Sequence, residues 1–484
     1  MAATFHVENF GCRAARADGE AVSERLRAAG FGGQSPALAD VVVVNTCSVT
    51  AEADRAARAF IRRAHRLNPE ARIVVTGCYA QRAPEELAGL AGVAAVVGNS
   101  HKALAPQIIL GLARSEARAE PQALVSVQSL FRGGAPAPIW ADDRFAHSFL
   151  EEAQVIPGAQ TRPNLKVQEG CGNRCTFCVI PQTRGSSRSL PAASVLKQVE
   201  GFVAAGGNEL VLSGINLGRW GRDLFGSALT GKDTSAPQTL AALVRQIFER
   251  TALARLRLSS IEPMDWDAEL IALMAEFGNP KRGRARLARH AHLPLQSGSD
   301  AVLRRMHRRY RPWHYADKVA ALVRATGAEL TLGADVMVGF PGETGAEFEE
   351  TLALVRALPF GYLHLFPFSP RPGTPGWALH TERPVPVEAV EERMAALRAL
   401  ASEKSKAHRR RFVGRELDAI TLHTPAEVIA RGRSAALTEN FLPVELEGRL
   451  EANRLVRVRV TGLNADATLE ATEKKQQQVP ATSF

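Results

Sequence analysis

Three cysteines within eight residues constrain this chain more than any other feature. Cys171, Cys175 and Cys178 are separated by turn-forming residues rather than by a periodic helix or strand pattern. Three thiolates on one short loop can bind three irons of a [4Fe-4S] cluster and leave the fourth iron open for a substrate. The alternatives are a zinc knuckle or a buried disulfide. Structural zinc sites have four protein ligands, and the sequence offers no fourth one nearby. The loop therefore predicts an iron-sulfur cluster with an open position.

The length and composition indicate a protein of several domains. At about 150 residues per domain, 484 residues predict roughly three domains. Hydrophobic residues make up 45% and charged residues 23%, and no apolar run is long enough to span a membrane. The N-terminus lacks a basic region followed by an apolar stretch, so no secretory signal is predicted. We expect a cytoplasmic protein whose six cysteines bind metal rather than form disulfides.

The net charge is the first indication of a partner. It is +10 at pH 7, which favours a polyanion through phosphate contacts and counterion release. Many basic proteins bind no nucleic acid, so charge alone leaves this point open.

The first 115 residues alternate short apolar runs with segments of helical periodicity. This pattern predicts an open parallel α/β sheet. The predicted strands are residues 4–9, 41–45, 72–76 and 94–97.

The remaining cysteines follow three of these strands. Cys12, Cys47 and Cys78 each lie just past the carboxyl end of a predicted strand. Parallel α/β sheets place ligands at that edge, so the three thiols can converge on one point. Three unrelated buried cysteines are the alternative, but that alternative does not predict the same placement three times. We expect a second three-thiolate site.

Residues 116–160 lose periodicity and gather proline, glycine and alanine, which predicts a linker. Strand and helix patterns then resume as a partial (β/α)6 barrel, whose active face is the carboxyl end of its strands. The predicted barrel strands are residues 165–168, 209–213, 255–259, 291–295, 330–338 and 362–366. The three-cysteine loop leaves the first strand at that face.

Further residues of the barrel are expected at the same face, the predicted rim, and are candidates for binding a small ligand. Gly206 and Gly207 permit close backbone approach, and Glu209, which opens the second strand, can accept from an ammonium group. Gln296 ends the fourth strand and can hydrogen-bond a ligand, whereas the serine and aspartate after it can simply cap the next helix. Residues 339–344 either approach a ligand closely or form a plain turn before a helix.

Two basic clusters lie within the barrel sequence, at residues 281–286 and 304–310. A solvated charged face is the usual interpretation of such runs. The second cluster lies nearer the predicted rim, so we expect it rather than the first to contact a nucleic-acid backbone.

The C-terminal part follows a long helical stretch that extends from residue 386 to about 411. Five short strands predict a small β-barrel of the oligonucleotide-binding type. They are residues 417–422, 426–430, 435–437, 442–446 and 456–460. The polar residues 471–484 are expected to be disordered.

These features together resemble the radical S-adenosylmethionine (SAM) methylthiotransferase family over almost the whole chain. The resemblance implies an N-terminal domain at 1–115, a linker at 116–160, a radical SAM barrel at 161–405 and a TRAM-like β-barrel at 406–470. Phe177 occupies the aromatic position of the radical SAM loop. The matching motifs are Asn45-Thr46-Cys47, Gly77-Cys78-Tyr79-Ala80-Gln81, Arg184-Gly185, Leu293-Pro294-Leu295-Gln296-Ser297-Gly298, Arg309-Tyr310 and Gly339-Phe340-Pro341-Gly342-Glu343-Thr344.

The branch most similar to this chain acts on N6-threonylcarbamoyladenosine at position 37 of tRNA; other branches act on N6-isopentenyladenosine or on an aspartate of a ribosomal protein. The resemblance implies two [4Fe-4S] clusters and SAM. One SAM methylates a sulfur on the cluster of Cys12, Cys47 and Cys78. A second is cleaved on the cluster of Cys171, Cys175 and Cys178, and the resulting radical drives methylthio insertion at carbon 2 of the adenine.

The resemblance also implies the partners and the cofactor contacts. The partners are the tRNA anticodon stem-loop and a flavodoxin- or ferredoxin-type electron donor. Phe177, Gly206, Gly207, Glu209 and Gln296 would contact SAM. One departure concerns Ala15 and Arg16, which stand where the family usually has asparagine and glutamine near the first cysteine.

Overall fold

A computed structural model describes residues 3–114, 136–145, 160–224, 238–279 and 284–474. Most of the predicted linker, part of the first basic cluster and residues 475–484 lie outside this description. The described chain forms a parallel sheet, an open barrel and a small closed barrel, in that order.

The N-terminal sheet has six parallel strands in the order β2-β1-β3-β4-β5-β6. Its elements are β1 Thr4–Asn9, α1 Arg13–Ala28, β2 Gly32–Gly33, β3 Val41–Thr46, α2 Ala51–Leu67, β4 Arg72–Gly77, α3 Cys78–Arg82, α4 Pro84–Ala88, β5 Val93–Gly98, α5 Ala105–Arg114 and β6 Ile139–Trp140. The predicted open parallel sheet is confirmed. Ile139 and Trp140 lie within the predicted linker 116–160 but form the strand β6, which pairs with β5.

The apolar strands of this sheet are buried on both faces. Val42 and Val44 of β3 belong to the same hydrophobic cluster as Phe60 of α2. Val41, which points the other way, belongs to the cluster that contains Leu26 of α1. A strand covered by helices on both sides needs an unbroken apolar run, which is why these strands show no alternation of polar residues.

The barrel consists of two sheets, β10-β9-β7-β8 and β11-β12-β13, linked by a bridge between Leu256 and Leu287. Six of its strands correspond to the six predicted ones. Its elements are β7 Asn164–Glu169, α6 Ile180–Arg184, β8 Arg188–Ser189, α7 Ala192–Ala204, β9 Glu209–Gly214, α8 Leu240–Arg250, β10 Arg255–Leu258, α9 Ala268–Phe277, β11 His290–His292, α10 Asp300–Arg305, α11 Pro312–Thr326, β12 Thr331–Val338, α12 Gly345–Ala357, β13 Phe360–Pro367, α13 Pro375–Glu382 and α14 Val387–Arg410.

Side chains alternate along the barrel strands between the helical layer and the lumen. Leu210 and Leu212 of β9, like Leu256 and Leu258 of β10, join the hydrophobic core beneath the helices. The positions between such residues carry polar groups that face the lumen, namely Glu209, Arg255, Arg257, His290, His292, Asp335, Tyr362 and His364. The barrel strands are therefore apolar on the face that packs against the helices and polar on the face that lines the lumen. Such a lumen suits a polar substrate rather than a packed core.

The C-terminal unit is a closed barrel of five strands in the order β14-β15-β16-β18-β17. Its elements are β14 Glu416–Thr421, α15 Ala426–Ala430, β15 Arg433–Thr438, β16 Pro443–Glu447, β17 Leu455–Leu463 and β18 Leu469–Glu473. The barrel is confirmed, but the strand predicted at 426–430 is a helix, because a five-residue apolar run does not separate the two states. The fifth strand, β18, occupies the start of the predicted tail.

This small barrel closes the amino-terminal end of the larger one. Phe441, in the turn between β15 and β16, lies with its ring centroid 4.3 Å from that of His290 and 5.6 Å from that of Tyr362. Arg257 donates to the carbonyl of Thr438 at 3.1 Å. We call Phe441 and its contacts the floor of the lumen. The opposite end, where the three-cysteine loop lies, is the rim.

In the described parts of the chain, no helix combines the length and the apolar character needed to cross a membrane.

Candidate active site

The loop trio, Cys171, Cys175 and Cys178, follows β7 at the rim. Each thiol lies within reach of a nitrogen donor, which would stabilise the thiolate of a metal-bound cysteine. The three contacts are Asn216 Nδ2 to Cys171 Sγ at 3.5 Å, Arg308 Nη1 to Cys175 Sγ at 3.2 Å and Ile180 N to Cys178 Sγ at 3.5 Å. The loop therefore presents three thiols to one space at the end of the lumen.

Burial is the main influence on the pKa of Cys178. Burial raises the pKa of this thiol to about 12, and the neighbouring Cys175 and Cys171 raise it further. A thiol with such a pKa stays protonated at neutral pH until a metal displaces the proton. Metal binding at the loop must therefore release protons.

The strand-end trio, Cys12, Cys47 and Cys78, converges at the carboxyl edge of the N-terminal sheet. A Cβ atom on Gly11, whose φ is +106°, would lie 2.6 Å from the Sγ of Cys47, so only glycine lets Cys12 approach so closely. Burial, followed by the charges of Cys78 and Cys12, raises the pKa of Cys47 to about 12. The structure thus brings together the three thiols that the strand ends predicted.

Asn45 anchors the segment that follows Cys12. Its side-chain amide donates to Asn9 Oδ1 at 2.9 Å and to the carbonyl of the buried Ala15. Arg16 is exposed. The position of Ala15 is therefore held through its backbone, and the replacement of the usual polar side chains leaves this contact intact.

Arg184 joins the two trios. It ends α6, the first helix after the loop trio, and its Nε lies 3.1 Å from the Sγ of Cys78. Asn99 makes a second link, because its Nδ2 lies 3.4 Å from the same sulfur and 2.8 Å from the carbonyl of Thr183. The helix that follows the loop trio is thus hydrogen-bonded to Cys78 of the strand-end trio.

Arg184 is held by a buried network of opposite charges. Its Nη1 donates to Glu169 at 2.7 Å and to Asp18 at 3.0 Å, and Lys102 and Lys166 pair with the same carboxylates. Burial lowers the pKa of Arg184, but Cys78, Glu169 and Asp18 outweigh burial and hold it well above the usual value. The network fixes a permanent positive charge at the junction of the N-terminal sheet and the barrel.

Gln296 follows β11 at the rim end of the barrel and bridges to Val336 of β12. Its φ is +64°, which is uncommon for a residue with a side chain, and its amide donates to the carbonyl of Asp335 at 2.8 Å. Its buried Oε1 has no hydrogen-bond partner among the described atoms. Buried acceptors are normally paired, so this strained and unpaired side chain fits a ligand contact.

Phe177 takes part in holding the loop. It packs against the barrel core, and the carbonyl of the preceding residue, Thr176, accepts from the amide of Gly376 at 2.7 Å. The aromatic position therefore fixes the loop trio to the barrel wall.

Gly206, Gly207 and Glu209 do not lie at the rim, which corrects the prediction. Glu209 begins β9, so its carboxylate sits about 20 Å from the end where the cysteine loop lies. There it pairs with Arg257 at 3.1 Å, and the carbonyl of Gly206 accepts from Asn453 of the C-terminal barrel at 2.8 Å. Residues that precede a parallel strand lie at its amino end, opposite the active face.

The carboxyl end of the same strand supplies the contact that the sequence interpretation missed. Gly214 ends β9 and Asn216 follows it, with its side chain at Cys171 and its amide donating to Gln168 Oε1 at 2.7 Å. The sequence signal was Gly214, which directly follows the predicted strand 209–213. It lies at the end where parallel strands place ligands.

The turn at 339–344 serves to start a helix. Glu343 accepts from the amide of Gly339 at 2.8 Å and from Arg393 at 2.8 Å, and Thr344 with Glu347 forms the capping box of α12. Of the two interpretations, the described contacts favour the turn before a helix.

Arg308 was predicted within a cluster that contacts nucleic acid, but it points inward. Its guanidinium lies at Cys175 Sγ and pairs with Glu262. Arg304 and Arg305 pair with Asp300 and Glu347 on their own side of the barrel. The buried member Arg308 therefore belongs to the cysteine site, whereas Arg304 and Arg309 are exposed.

The donor sets of both trios fit iron-sulfur clusters. All six cysteines are free, and each trio offers three thiols, as a [4Fe-4S] cluster with one open iron requires. Asn216, Arg308 and Arg184 supply hydrogen bonds to the sulfurs. Such bonds normally tune the reduction potential of a bound cluster.

Two family profiles match the chain. Residues 4–98 match the uncharacterized protein family UPF0004, and residues 165–355 match the radical SAM superfamily. The first match covers the sheet that carries the strand-end trio, and the second covers the barrel that carries the loop trio.

Relatives match over nearly the whole chain. The threonylcarbamoyladenosine tRNA methylthiotransferase MtaB of Bacillus subtilis is 33% identical over 95% of this chain and 94% of its own length. The MtaB of Aquifex aeolicus is 33% identical over 94% and 99%. The tRNA-2-methylthio-N(6)-dimethylallyladenosine synthase of Cereibacter sphaeroides is 34% identical over 94% and 95%.

A solved structure shares the fold. The radical S-adenosylmethionine methyltransferase TsrM of Kitasatospora setae superposes with a TM-score of 0.52 at 17% identity, over 79% of this chain and 75% of its own. With two converging thiol trios, full-length relatives above 30% identity and a radical SAM barrel, this chain belongs to the radical SAM methylthiotransferase family and is an enzyme of that class.

Proposed function

We propose that this enzyme adds a methylthio group to carbon 2 of N6-threonylcarbamoyladenosine at position 37 of tRNA. Four of the relatives described as threonylcarbamoyladenosine tRNA methylthiotransferases are 31% to 33% identical over at least 94% of this chain. The observation that carries the proposal is the link between the two trios, in which Arg184 connects the loop-trio helix to Cys78. Two chemical centres must reach one nucleobase, and this contact holds them together.

The chemistry calls for cofactors because carbon 2 of adenine carries an unactivated hydrogen that no protein base removes readily. Two [4Fe-4S] clusters and SAM, when bound, would supply the radical and the sulfur for this substitution. The loop trio would hold the cluster at which SAM is cleaved, and the strand-end trio would hold the auxiliary one.

The residues around the loop trio position the reactants. Gln296 offers its unpaired carbonyl oxygen to a ligand in the lumen, and Phe177 fixes the loop against the wall. Arg308 and Asn216 donate toward sulfurs of the loop trio and hold them in place. Arg184 does the same for Cys78 and keeps water from the junction through its buried ion pairs.

The substrate base must leave the anticodon stack to reach the lumen. Proteins read RNA loops through unstacked bases, and extrusion of one base costs about a few kcal/mol. Arg174 and Arg309 are exposed beside the loop trio and line the same depression, where they would contact phosphates. The C-terminal barrel, as a TRAM-like module, would grip the stem.

An electron must also reach the loop-trio cluster. We propose a flavodoxin- or ferredoxin-type donor in the cytoplasm, because cleavage of SAM at an iron-sulfur centre consumes one electron and the chain has no cysteines beyond the two trios.

Nucleoside mass spectrometry tests the proposal. The reconstituted enzyme is incubated anaerobically with SAM, a reductant and tRNA that carries threonylcarbamoyladenosine. We expect the mass of one added methylthio group on that nucleoside, and tRNA that carries isopentenyladenosine should stay unchanged. A product only on isopentenyladenosine would assign the enzyme to the activity named for the Cereibacter sphaeroides relative, and a mass shift only on a ribosomal protein would remove tRNA as the substrate.

A further inference from the structure

Two histidines and an aspartate meet inside the lumen, away from both cysteine trios. His292 of β11, Asp335 of β12 and His364 of β13 lie on three neighbouring strands of one sheet, and their ligand atoms all lie within 4.8 Å of one another. Asp335 Oδ1 is 3.1 Å from His364 Nδ1 and 3.4 Å from His292 Nε2.

Ser260 orients the ring of His292 through one ring nitrogen, and the other ring nitrogen faces Asp335. Its Nδ1 lies 2.8 Å from the hydroxyl of Ser260, whereas its buried Nε2 faces Asp335 Oδ1 at 3.4 Å, without well-formed hydrogen-bond geometry in the described part of the chain. Only 5% of the residue is exposed. A histidine that binds a metal typically uses its other ring nitrogen in this way, so that the free nitrogen is aimed at the ion.

The other two members leave the site open toward the lumen. The side chain of His364 is 63% exposed and that of Asp335 is 25% exposed. Three protein ligands with an accessible side are characteristic of metal sites that also bind a small molecule, whereas purely structural sites are closed by a fourth protein ligand.

We propose that His292, Asp335 and His364 bind one divalent transition-metal ion of the zinc type. Imidazole nitrogen is a preferred ligand of such ions, and two histidines with one carboxylate form a recurrent three-ligand set. A purely hydrogen-bonded cluster is the competing account, in which His292 pairs with Asp335 at 3.4 Å, and it predicts that the protein retains no zinc.

The proposed ion lies along the lumen between its rim and its floor. On one side, the backbone of Asp335 accepts from the amide of Gln296, at the rim. On the other side, the ring of Tyr362, which contacts Phe441 at the floor, lies 5.2 Å from that of His364. The ion would therefore border the lumen into which the substrate base is proposed to enter.

The open position suits an oxygen ligand from the substrate. Resting on the proposed function, we assign it to the free carboxylate of the threonyl group on the N6 substituent. An isopentenyl group has no oxygen to offer, so an ion at this place would separate the two kinds of modified adenosine by chemistry rather than by size.

Zinc binding tests the site without any tRNA. The holoenzyme is reconstituted so that iron occupies the cysteines, stripped of loose metal with a chelator, given Zn²⁺ and passed through a desalting column. We expect about one zinc per chain, with nitrogen and oxygen ligands near 2.0–2.2 Å by zinc X-ray absorption rather than sulfur near 2.3 Å. Asp335→Asn and His364→Ala should weaken binding about tenfold or more. His314→Ala, an exposed histidine on α11, is the matched control.

The proposal is overturned if the holoenzyme retains no zinc, if the zinc has a sulfur shell, or if His364→Ala binds it as tightly as the wild type. Because His364 is exposed, its replacement should leave the fold intact, which a circular dichroism spectrum verifies.

Stem-loop binding then tests the substrate contact. A stem-loop with threonylcarbamoyladenosine should bind the zinc-loaded enzyme about tenfold tighter than one with plain adenosine, and chelation or His364→Ala should remove the difference. If modified tRNA is methylthiolated while zinc leaves the preference unchanged, the carboxylate contact is wrong. If neither RNA is methylthiolated, the proposed function fails, whereas the metal site is still decided by the zinc measurements.

Discussion

Cys171, Cys175 and Cys178 lie on one short loop, whereas Cys12, Cys47 and Cys78 come from three strand ends spread over the N-terminal sheet. The loop trio needs only a short segment of chain to be ordered. The strand-end trio exists only when the sheet is folded and its strands are in register, because long chain segments must be closed to bring its thiols together. One site is therefore local and the other depends on the tertiary fold, and the two should fail in different ways.

The largest expected effect separates the two trios outright. Cys175→Ala should abolish the release of 5′-deoxyadenosine from SAM, because the loop then offers only two thiols. Iron at the strand-end trio should remain. Anaerobic incubation with dithionite and SAM, followed by chromatography and iron analysis, measures both. An unaltered cleavage rate would contradict the division of labour between the trios.

The mirror experiment removes a strand-end thiol. Cys47→Ala should abolish the methylthiolated product while SAM is still cleaved at the loop, because Cys47 is remote in sequence from the radical SAM motif. Product is followed by nucleoside mass spectrometry and cleavage by 5′-deoxyadenosine. Loss of both activities with an intact loop cluster would show that the trios are not separable.

Arg184→Gln tests the contact between the trios. Removing one partner from a buried ion-pair network typically costs about 3–5 kcal/mol, and here it also removes the donor to Cys78. We expect that loss in the free energy of unfolding, measured by denaturant titration, and less iron at the strand-end trio. Arg62→Gln, an exposed position on α2, is the control and should change neither.

Arg308→Gln tests a hydrogen bond to one trio alone. Loss of the donor to Cys175 should reduce the rate of SAM cleavage about 10- to 100-fold, the usual effect of removing an outer partner of a metal ligand. The next residue, Arg309, is exposed, so Arg309→Gln should leave cleavage unchanged and affect only tRNA binding. Equal effects of the two substitutions on cleavage would show that the hydrogen bond from Arg308 to Cys175 does not set the cleavage rate.

The smallest effect concerns the dependence of the strand-end site on tertiary packing. Burial raises the pKa of Glu20, on α1 after Cys12, to about 7, and its partner Gln160 begins the barrel region. A carboxyl with a raised pKa contributes stability below its unfolded value, near 4.5, and loses it as pH rises toward 7. Glu20→Gln should match the wild type at pH 5 and exceed it at pH 8.

The expected difference at pH 8 is about 1–2 kcal/mol after allowance for solvent screening. Denaturant titrations at the two pH values measure it. A wild type that is as stable as the variant at pH 8 would show that Glu20 is charged without cost in the folded protein.

The same contrast explains which features could be predicted from sequence. The loop trio was found from spacing alone, and the strand-end trio from strand periodicity combined with the rule that parallel strands place ligands at their carboxyl ends. The strand bounds differ from the prediction by at most a few residues at each end. These features depend on local pattern and on one topological rule.

The misses depend on information that a local pattern does not hold. Glu209 was assigned to the rim because it comes one helix after the three-cysteine loop in the sequence. The direction of the strand places it at the amino end instead. Arg308 lies in a basic run whose members point in opposite directions, which only packing decides. Ala426–Ala430 became a helix and Ile139–Trp140 a strand because runs this short take the structure that their neighbours impose.

Phe441 makes the C-terminal barrel part of the wall of the lumen. Its left-handed backbone, with φ of +66°, holds a ring against His290 and Tyr362 at the base of the lumen, with Arg257 above it. A chain that ended before Glu416 would lose Phe441, and water would enter the lumen at its floor. The C-terminal barrel thus covers one end of the lumen, and the polar side chains at that end depend on it for their burial.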